Sequence, residues 1–355
     1  MIATTDFTIW KAFQKPEELP SVVIRDPSLP LVSIVTPSYN QGCFIRETIE
    51  SVLAQDYPNL EYWVMDGGSS DDTISILKEY EHDLRFHWVS EPDHGQSNAI
   101  NKGWSRCRGD ILAWLNSDDT YLPGAVKHQV EALLTHKQFG VVYGDSIFID
   151  KNGNYLSKWH SAPYNVLDLL RTSLPPQPTV FIYRHICEKI GMLNESYQFS
   201  MDTEYWVRAA KVTDFWYEPK FIATYRLHQQ SKTVGSYSGF YQDWLQIANN
   251  YFADPNLSDR MKQQKYQVLA SIYSRIASME AESGSLIEMF KYLQKSVLAG
   301  GIRLRLFKSL LLLAERLLPF RFMPKMLEVW TYLKARTRQA ISDFDVFQQC
   351  LLGTK

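Results

Sequence analysis

Cysteine is scarce in this chain: four residues in 355, Cys43, Cys107, Cys187 and Cys350, lie far apart with no C-x-x-C spacing. That excludes a sequence-evident zinc knuckle and reads as reduced thiols in a cytoplasm. Long apolar runs are also missing. The most apolar stretch, 302–318, is interrupted by Arg303, Arg305, Lys308, Glu315 and Arg316, so it falls short of the roughly 18 uncharged apolar residues a transmembrane helix requires. The first residues, MIATTDFTIWKAFQ, lack the basic and apolar regions of a signal peptide. Nor is there an excess of one charge: 37 Lys and Arg stand against 39 Asp and Glu, a net −2, which gives no global drive toward nucleic acid. G-x-G-x-x-G is absent, and a Rossmann dehydrogenase is set aside with it. The expectation is a cytoplasmic chain, soluble or attached to a surface, that binds no nucleic acid.

What is present is a globular composition, 45% hydrophobic and 21% charged, in a chain longer than one ordinary domain needs. From Leu31 strand-like and helix-like segments alternate. LVSIVT (31–36), LEYWVM (60–65), RFHWV (85–89), DILAWL (110–115) and FGVVYGD (139–145) read as strands. Helical patterns fill the intervals, including 44–55, a segment capped by Ser70 or Asp71, and 96–107. This alternation predicts an α/β fold with parallel strands and crossover helices. Ligands of such sheets sit beyond the carboxyl ends of the strands. The polar clusters 37–40, 66–72, 91–96 and 116–119 fall at those ends. The rim is the expected site. Later come a hairpin turn at Asn152-Gly153, a constrained loop SLPPQPT (173–179), strands VFIY (180–183) and FIATYRL (221–227), and a helix over 202–211. Past Tyr237 the pattern is wholly helical.

Two rim segments carry chemistry. In LAWLNSDDTYLPG (112–124) a buried strand ends in Asn116-x-Asp118-Asp119. Adjacent acids repel unless a cation joins them, and hard oxygen donors suit Mg²⁺ or Mn²⁺ shared with substrate phosphates. The alternative is a helix cap at Asp119 or Thr120 with a solvated Asp118. In VMDGGSSDDT (64–73) the strand-end Asp66 precedes two glycines that let backbone approach a ligand. Such an acid can accept from a base imide or a ribose hydroxyl.

PSYN (37–40), DGGSSDDT (66–73), EPDHGQSNAINKG (91–103), LNSDD (115–119), QPT (177–179), MDTEYWVR (201–208) and YRLHQQSKT (225–233), in this order, resemble family-2 glycosyltransferases of the GT-A fold. The resemblance covers about 31 to 233. It implies a nucleotide-sugar donor, UDP favoured, and Mn²⁺ or Mg²⁺. Together with the helical pattern past Tyr237, it suggests an extension at 1–30, a GT-A catalytic domain at 31–238 and a helical region at 239–355. Thr36, Pro37 and Tyr39 would border the nucleotide, Asp66 the base and Asp93 the ribose or base, with Ser117 and Asp118 also among the donor-binding residues. Asp118 would be the main metal contact, with Asp119 a helper and Asn116 where the family's first acid often stands. His228 would ligate the metal or contact the diphosphate. Asp202 would be the base that takes the acceptor proton, although Met201 departs from the family's usual acidic or small residue. Glu204 is its alternate, and Gln177 would shape the acceptor side. Lys102 reads as a solvated helix lysine. Asn98 stands where the family's commonest version has Asp.

A single base and a metal-bound leaving group imply inversion by direct displacement. Between Gly300 and Arg338 nine Lys and Arg outnumber two Glu, a local +7 (9 − 2). Such a basic, apolar segment suits an anionic membrane surface, the inner face of the cytoplasmic membrane, or a helix packed on the catalytic domain. The acceptor class expected from family habit is a saccharide or lipid-linked saccharide. The competing reading is a catalytically silent GT-A module that binds nucleotide sugar or scaffolds an assembly.

Overall fold

The computed structural model describes residues 25–171, 175–232 and 237–299. The chain divides into two compact units. The first holds β1 (Val32–Ser38), α1 (Ile45–Leu53), β2 (Leu60–Asp66), α2 (Thr73–Glu79), β3 (Phe86–Ser90), α3 (Gln96–Arg106), β4 (Ile111–Trp114) and α4 (Ala125–Thr135). It continues with β5 (Phe139–Asp150) and β6 (Tyr155–Trp159). The second unit claims α5 (Val166–Arg171), and the first resumes with β7 (Phe181–Tyr183), α6 (Arg184–Ile190), α7 (Met201–Ala209) and β8 (Asp214–Leu227).

The strands form one sheet in the order β3-β2-β1-β4-β7-β5-β6, with β8 on β5. β1 to β4 are mutually parallel, as the alternation predicts, and β1 and β2 end level, Ser38 facing Asp66. β7 runs antiparallel to both β4 and β5. β8 runs parallel to β5 from Phe139↔Asp214 to Asp150↔Leu227. β5 extends past 145 because its second half has partners on both edges, β6 and β8, for its backbone groups.

All seven residues of β1 are buried, since helices cover both faces of the parallel sheet. On one face Val32 and Ile34 pack with Ile45, Ile49, Leu77, Val126 and Leu133 of α1, α2 and α4. On the other, α3 comes so close that a Cβ on Gly103 would stand 2.5 Å from Val35 Cγ1. Beside it Trp114 of β4 stacks on Trp206 of α7, with centroids 5.1 Å apart, and Trp104 of α3 meets Tyr205 at 5.4 Å. This aromatic layer holds α7 beside the end of β4.

The second unit adds α8 (Tyr237–Phe252), α9 (Asp259–Lys262), α10 (Lys265–Ser283) and α11 (Leu286–Leu298) to α5. α10 and α11 form a helical hairpin. It breaks at Gly284, whose φ of +90° suits glycine, and packs Ala277 and Ala281 against Met289 and Leu293. The basic segment 300–338 and residues 1–24 of the extension lie outside the described residues. Among the described residues no helix is long and apolar enough to cross a membrane.

Candidate active site

The loops after β1 and β2 are tied to each other. Asn40, at φ +52°, donates its N–H to Ser69 Oγ at 2.7 Å and accepts from the Ser70 N–H at 2.9 Å. Gly67 N–H donates to Ser38 O at 2.8 Å. Asp71 accepts from the N–H groups of Gly42 and Thr73. It therefore links the loops, and the residue at the start of α2 is Asp72 rather than Ser70 or Asp71. Asp66 is buried, and its carboxylate accepts from the N–H groups of Gly68 and Ser69 and the hydroxyls of Ser69 and Ser90. Asp93 accepts from Gly95 N–H at 2.7 Å and lies against Gly67, where a Cβ would meet its Oδ2 at 2.7 Å. Asp66 and Asp93 thus adjoin through Gly67. Thr36 lies beneath the rim, its hydroxyl accepting from Tyr62 OH at 3.0 Å, and Pro37 is buried in β1. Tyr39 presents an exposed ring, 61% accessible.

The turn after β4 meets the end of β8. Thr48 Oγ1 bridges the carbonyl oxygens of Ser117 and Asp119 at 2.9 and 2.8 Å. Asp119 points inward, accepting from Arg226 N–H at 2.8 Å and from Asn116 Nδ2 at 3.2 Å. Burial, then the neighbouring Asp118 charge, push its carboxyl well above the usual carboxylate range. Both of its oxygens are thus engaged in the scaffold of the turn. Asp118 is only partly buried, with its Oδ2 2.9 Å from His228 Nε2. His228, nearly buried, rests against the Phe44 ring at 4.8 Å.

This pair decides whether the turn suits a divalent cation. Among the described residues no group of three or more His, Cys, Asp or Glu side chains could hold a metal on its own. One carboxylate oxygen beside one imidazole nitrogen nevertheless fits Mn²⁺ or Mg²⁺, which complete their shells with phosphate oxygens and water.

Asp202 stands in the first turn of α7. Burial raises its pKa to about 6, against a partial lowering from the Thr203 N–H at 2.7 Å and the Lys232 charge. Adjacent residues of α3 connect it to the turn. Ser97 Oγ donates to Met201 Sδ at 2.8 Å, while Gln96 Nε2 donates to Asn116 Oδ1 at 2.7 Å. Lys232 Nζ donates to Gln96 Oε1 and to Gln198 O, each at 3.1 Å. Met201 is buried, so an apolar residue suits that position. Glu204 lies two residues from Asp202 on the same helix. Two residues along a helix do not face each other, and Arg208 holds both its oxygens at 2.7 and 2.8 Å. Gln177 is buried and donates to Trp114 O at 2.8 Å, bracing the end of β4. Lys102 pairs with Glu91 and Pro92 O, both at 3.0 Å. Asn98 donates to both oxygens of Glu195 at 3.1 Å.

The glycosyl transferase family 2 profile matches residues 33–190. TuaG of Bacillus subtilis, named for teichuronic acid biosynthesis, is 35% identical over 169 residues, 46% of this chain and 67% of TuaG. The chain belongs to glycosyltransferase family 2. An uncharacterized glycosyltransferase of Rickettsia bellii is 33% identical over 226 residues, and the match covers 59% of this chain but only 32% of that longer sequence. Among solved structures, S. aureus TarS 1–349 in complex with UDP has a TM-score of 0.57 at 18% identity, covering 91% of this chain and 90% of that one. Mannosyltransferase PcManGT of Pyrobaculum calidifontis, in complex with GDP-Man and Mn²⁺, has a TM-score of 0.56 at 18% identity, covering 99% and 95%. At that identity the likeness concerns the fold, which is GT-A. Within this family 2 chain, the motifs contain Gln96, Ser97 and Lys232 without distinguishing them from ordinary polar residues of a helix or loop. Glu47 carries no motif at all.

Proposed function

We propose that this chain is an inverting glycosyltransferase that moves a sugar from a nucleotide diphosphate donor, UDP favoured, to a hydroxyl of a saccharide or lipid-linked saccharide in cell-surface polysaccharide synthesis. One observation carries the reading. The turn bearing the Asp118–His228 pair and the helix start bearing Asp202 both touch the first turn of α3, through Gln96 and Ser97. A donor-side pair and a candidate base therefore share one rim.

Asp118 and His228 would hold Mn²⁺ or Mg²⁺, which when bound supplies positive charge against the diphosphate leaving group. Tyr39 offers a flat exposed face for the base, and Gly67 lets the Asp93 carboxylate close against the Asp66 loop, so that both acids would border the nucleoside. Asp202, with a pKa near 6, is ionised at neutral pH yet basic enough to accept a proton. It takes the acceptor hydroxyl proton as that oxygen bonds to the anomeric carbon and the bond from that carbon to the phosphate oxygen breaks. One displacement inverts the centre. The family, the UDP held by TarS and the name of TuaG support this reading. A site of action at the inner face of the cytoplasmic membrane is part of the same proposal.

Calorimetric titration of UDP, GDP and dTDP, with Mn²⁺ and with EDTA, tests it. One nucleotide should bind only with metal, and Asp202→Asn should keep that binding while losing transfer. Failure of all three nucleotides to bind under either condition overturns the reading in favour of a silent scaffold.

A further inference from the structure

The Asp118 turn rests on a cation that the transfer step does not use. Arg226 is 1% exposed, a rare setting for an arginine unless its charge and donors are all engaged. Its Nε donates to Asp118 O at 2.7 Å, and its own N–H donates to Asp119 Oδ1 at 2.8 Å. Nη1 reaches the carbonyl oxygens of Asp150 and Lys151 at 3.4 and 3.3 Å. Nη2 meets Glu47 Oε2 at 2.5 Å, and the guanidinium carbon lies 5.1 Å from the Phe44 ring centroid. The planar fork thus joins the turn after β4, the β5–β6 turn and α1.

Arg226 and His228 are two residues apart at the end of β8, a spacing that puts side chains on one side of an extended chain. One holds the Asp118 carbonyl and the other its carboxylate. Asp118 is gripped at both ends from a single strand end. A cation kept this close would by charge alone oppose a divalent metal, so its value to the turn is geometric. We propose, resting on the donor-site reading above, that Arg226, aimed by Glu47, is a positioning residue that holds Asp118 against His228 and thereby sets the affinity of the turn for a divalent cation together with a nucleoside diphosphate. Groups that orient a metal's ligands typically change its affinity by about 10- to 100-fold.

The Glu47 side chain is 57% exposed, so Glu47→Gln releases the aiming contact without disturbing the core. Arg226→Lys keeps the charge and loses the fork. Glu79→Gln is the control, since it removes the same charge from the exposed Arg46–Glu79 pair. The experiment is calorimetric titration of Mn²⁺ into each full-length protein, alone and with saturating UDP or GDP. Glu47→Gln should weaken Mn²⁺ binding about 10-fold and Arg226→Lys by up to about 100-fold at unchanged stoichiometry, with Glu79→Gln like wild type. Unchanged or tighter affinity in both test variants overturns the role of Arg226. A reduced stoichiometry at wild-type affinity does so too, because it reports lost folding rather than lost positioning. Absence of nucleotide-linked Mn²⁺ binding in the wild type instead overturns the donor-site reading, and this inference falls with it.

Discussion

His228 Nε2 and Asp118 Oδ2 stand 2.9 Å apart, although 110 residues separate them in the chain. β8 delivers the histidine and β4 delivers the acid, so the contact exists only when the antiparallel β7 and the long β5 have joined those strands in one sheet. A histidine with that partner is either a structural clamp or half of a cation site. The two readings separate experimentally. His228→Ala should weaken Mn²⁺-dependent nucleotide binding by about 10-fold or more and leave binding in EDTA unaltered. An equal loss with and without metal would assign His228 to the fold alone.

The proposed role of Asp202 predicts the acid limb of activity. A carboxylate base works ionised, so transfer should fall below about pH 6, following its raised pKa. The same shift has a stability sign. A carboxyl whose folded pKa lies above its unfolded value of 3.8 favours the folded state below that value, and the advantage is lost as pH rises through about 6. At pH 8 the partly buried charge is therefore a cost, at most about 3 kcal/mol at 1.36 kcal/mol per unit. Asp202→Asn should raise Tm at pH 8, leave it nearly unchanged at pH 4, and reduce transfer by about 10²- to 10⁴-fold. Melting curves at the two pH values decide the matter, and a variant less stable at pH 8 would contradict the buried charge.

Much of this site is legible from local pattern, because strand ends and rim acids leave short-range signals. β1 to β4 and the positions of Asp66, Asp93, Asn116 and Asp118 follow from alternation and turn residues. Which of two adjacent acids faces in does not. Asp118 and Asp119 differ only through contacts with Arg226 and Asn116 that the fold supplies. Glu204 and Asp202 are distinguishable by helical period alone, since two residues turn a side chain about 200°. The full extent of β5 depends on β8, some 70 residues later, and no local pattern carries that. The membership of α5 in the helical unit is non-local in the same way.

Asn98 explains itself through Glu195. Its Nδ2 donates to both carboxylate oxygens, and with Asn101 it holds the Glu195 pKa below the ordinary range. A lowered carboxyl pKa stabilises the fold above the unfolded value of 4.5 and ceases to do so as pH falls through the folded one. Asn98→Asp replaces the donor with a second carboxylate. The variant should lose about 1 kcal/mol at pH 8 and less at pH 5, where protonation relieves the pair. A deficit that is the same at both pH values would show that charge is not the cause.

Asn116 stands where the family often carries an acid, and its two amide ends show why an amide suits this chain. Its oxygen accepts from Gln96 and its NH₂ donates to the buried Asp119 carboxyl. Lys232 can only donate, so Gln96 turns its oxygen to that ammonium and its NH₂ to Asn116. That orientation propagates to Asp119. An aspartate at 116 would keep the bond from Gln96 but remove the amide donor and set a second acid against the Asp119 carboxyl, whose pKa is already raised. Asn116→Asp should therefore lower stability by about 1–3 kcal/mol in EDTA, and saturating Mn²⁺ with UDP should narrow the gap by bringing positive charge to the turn. Thermal melts of both proteins in the two conditions measure it. A variant as stable as wild type in EDTA would mean that Asp119 does not depend on the Asn116 amide.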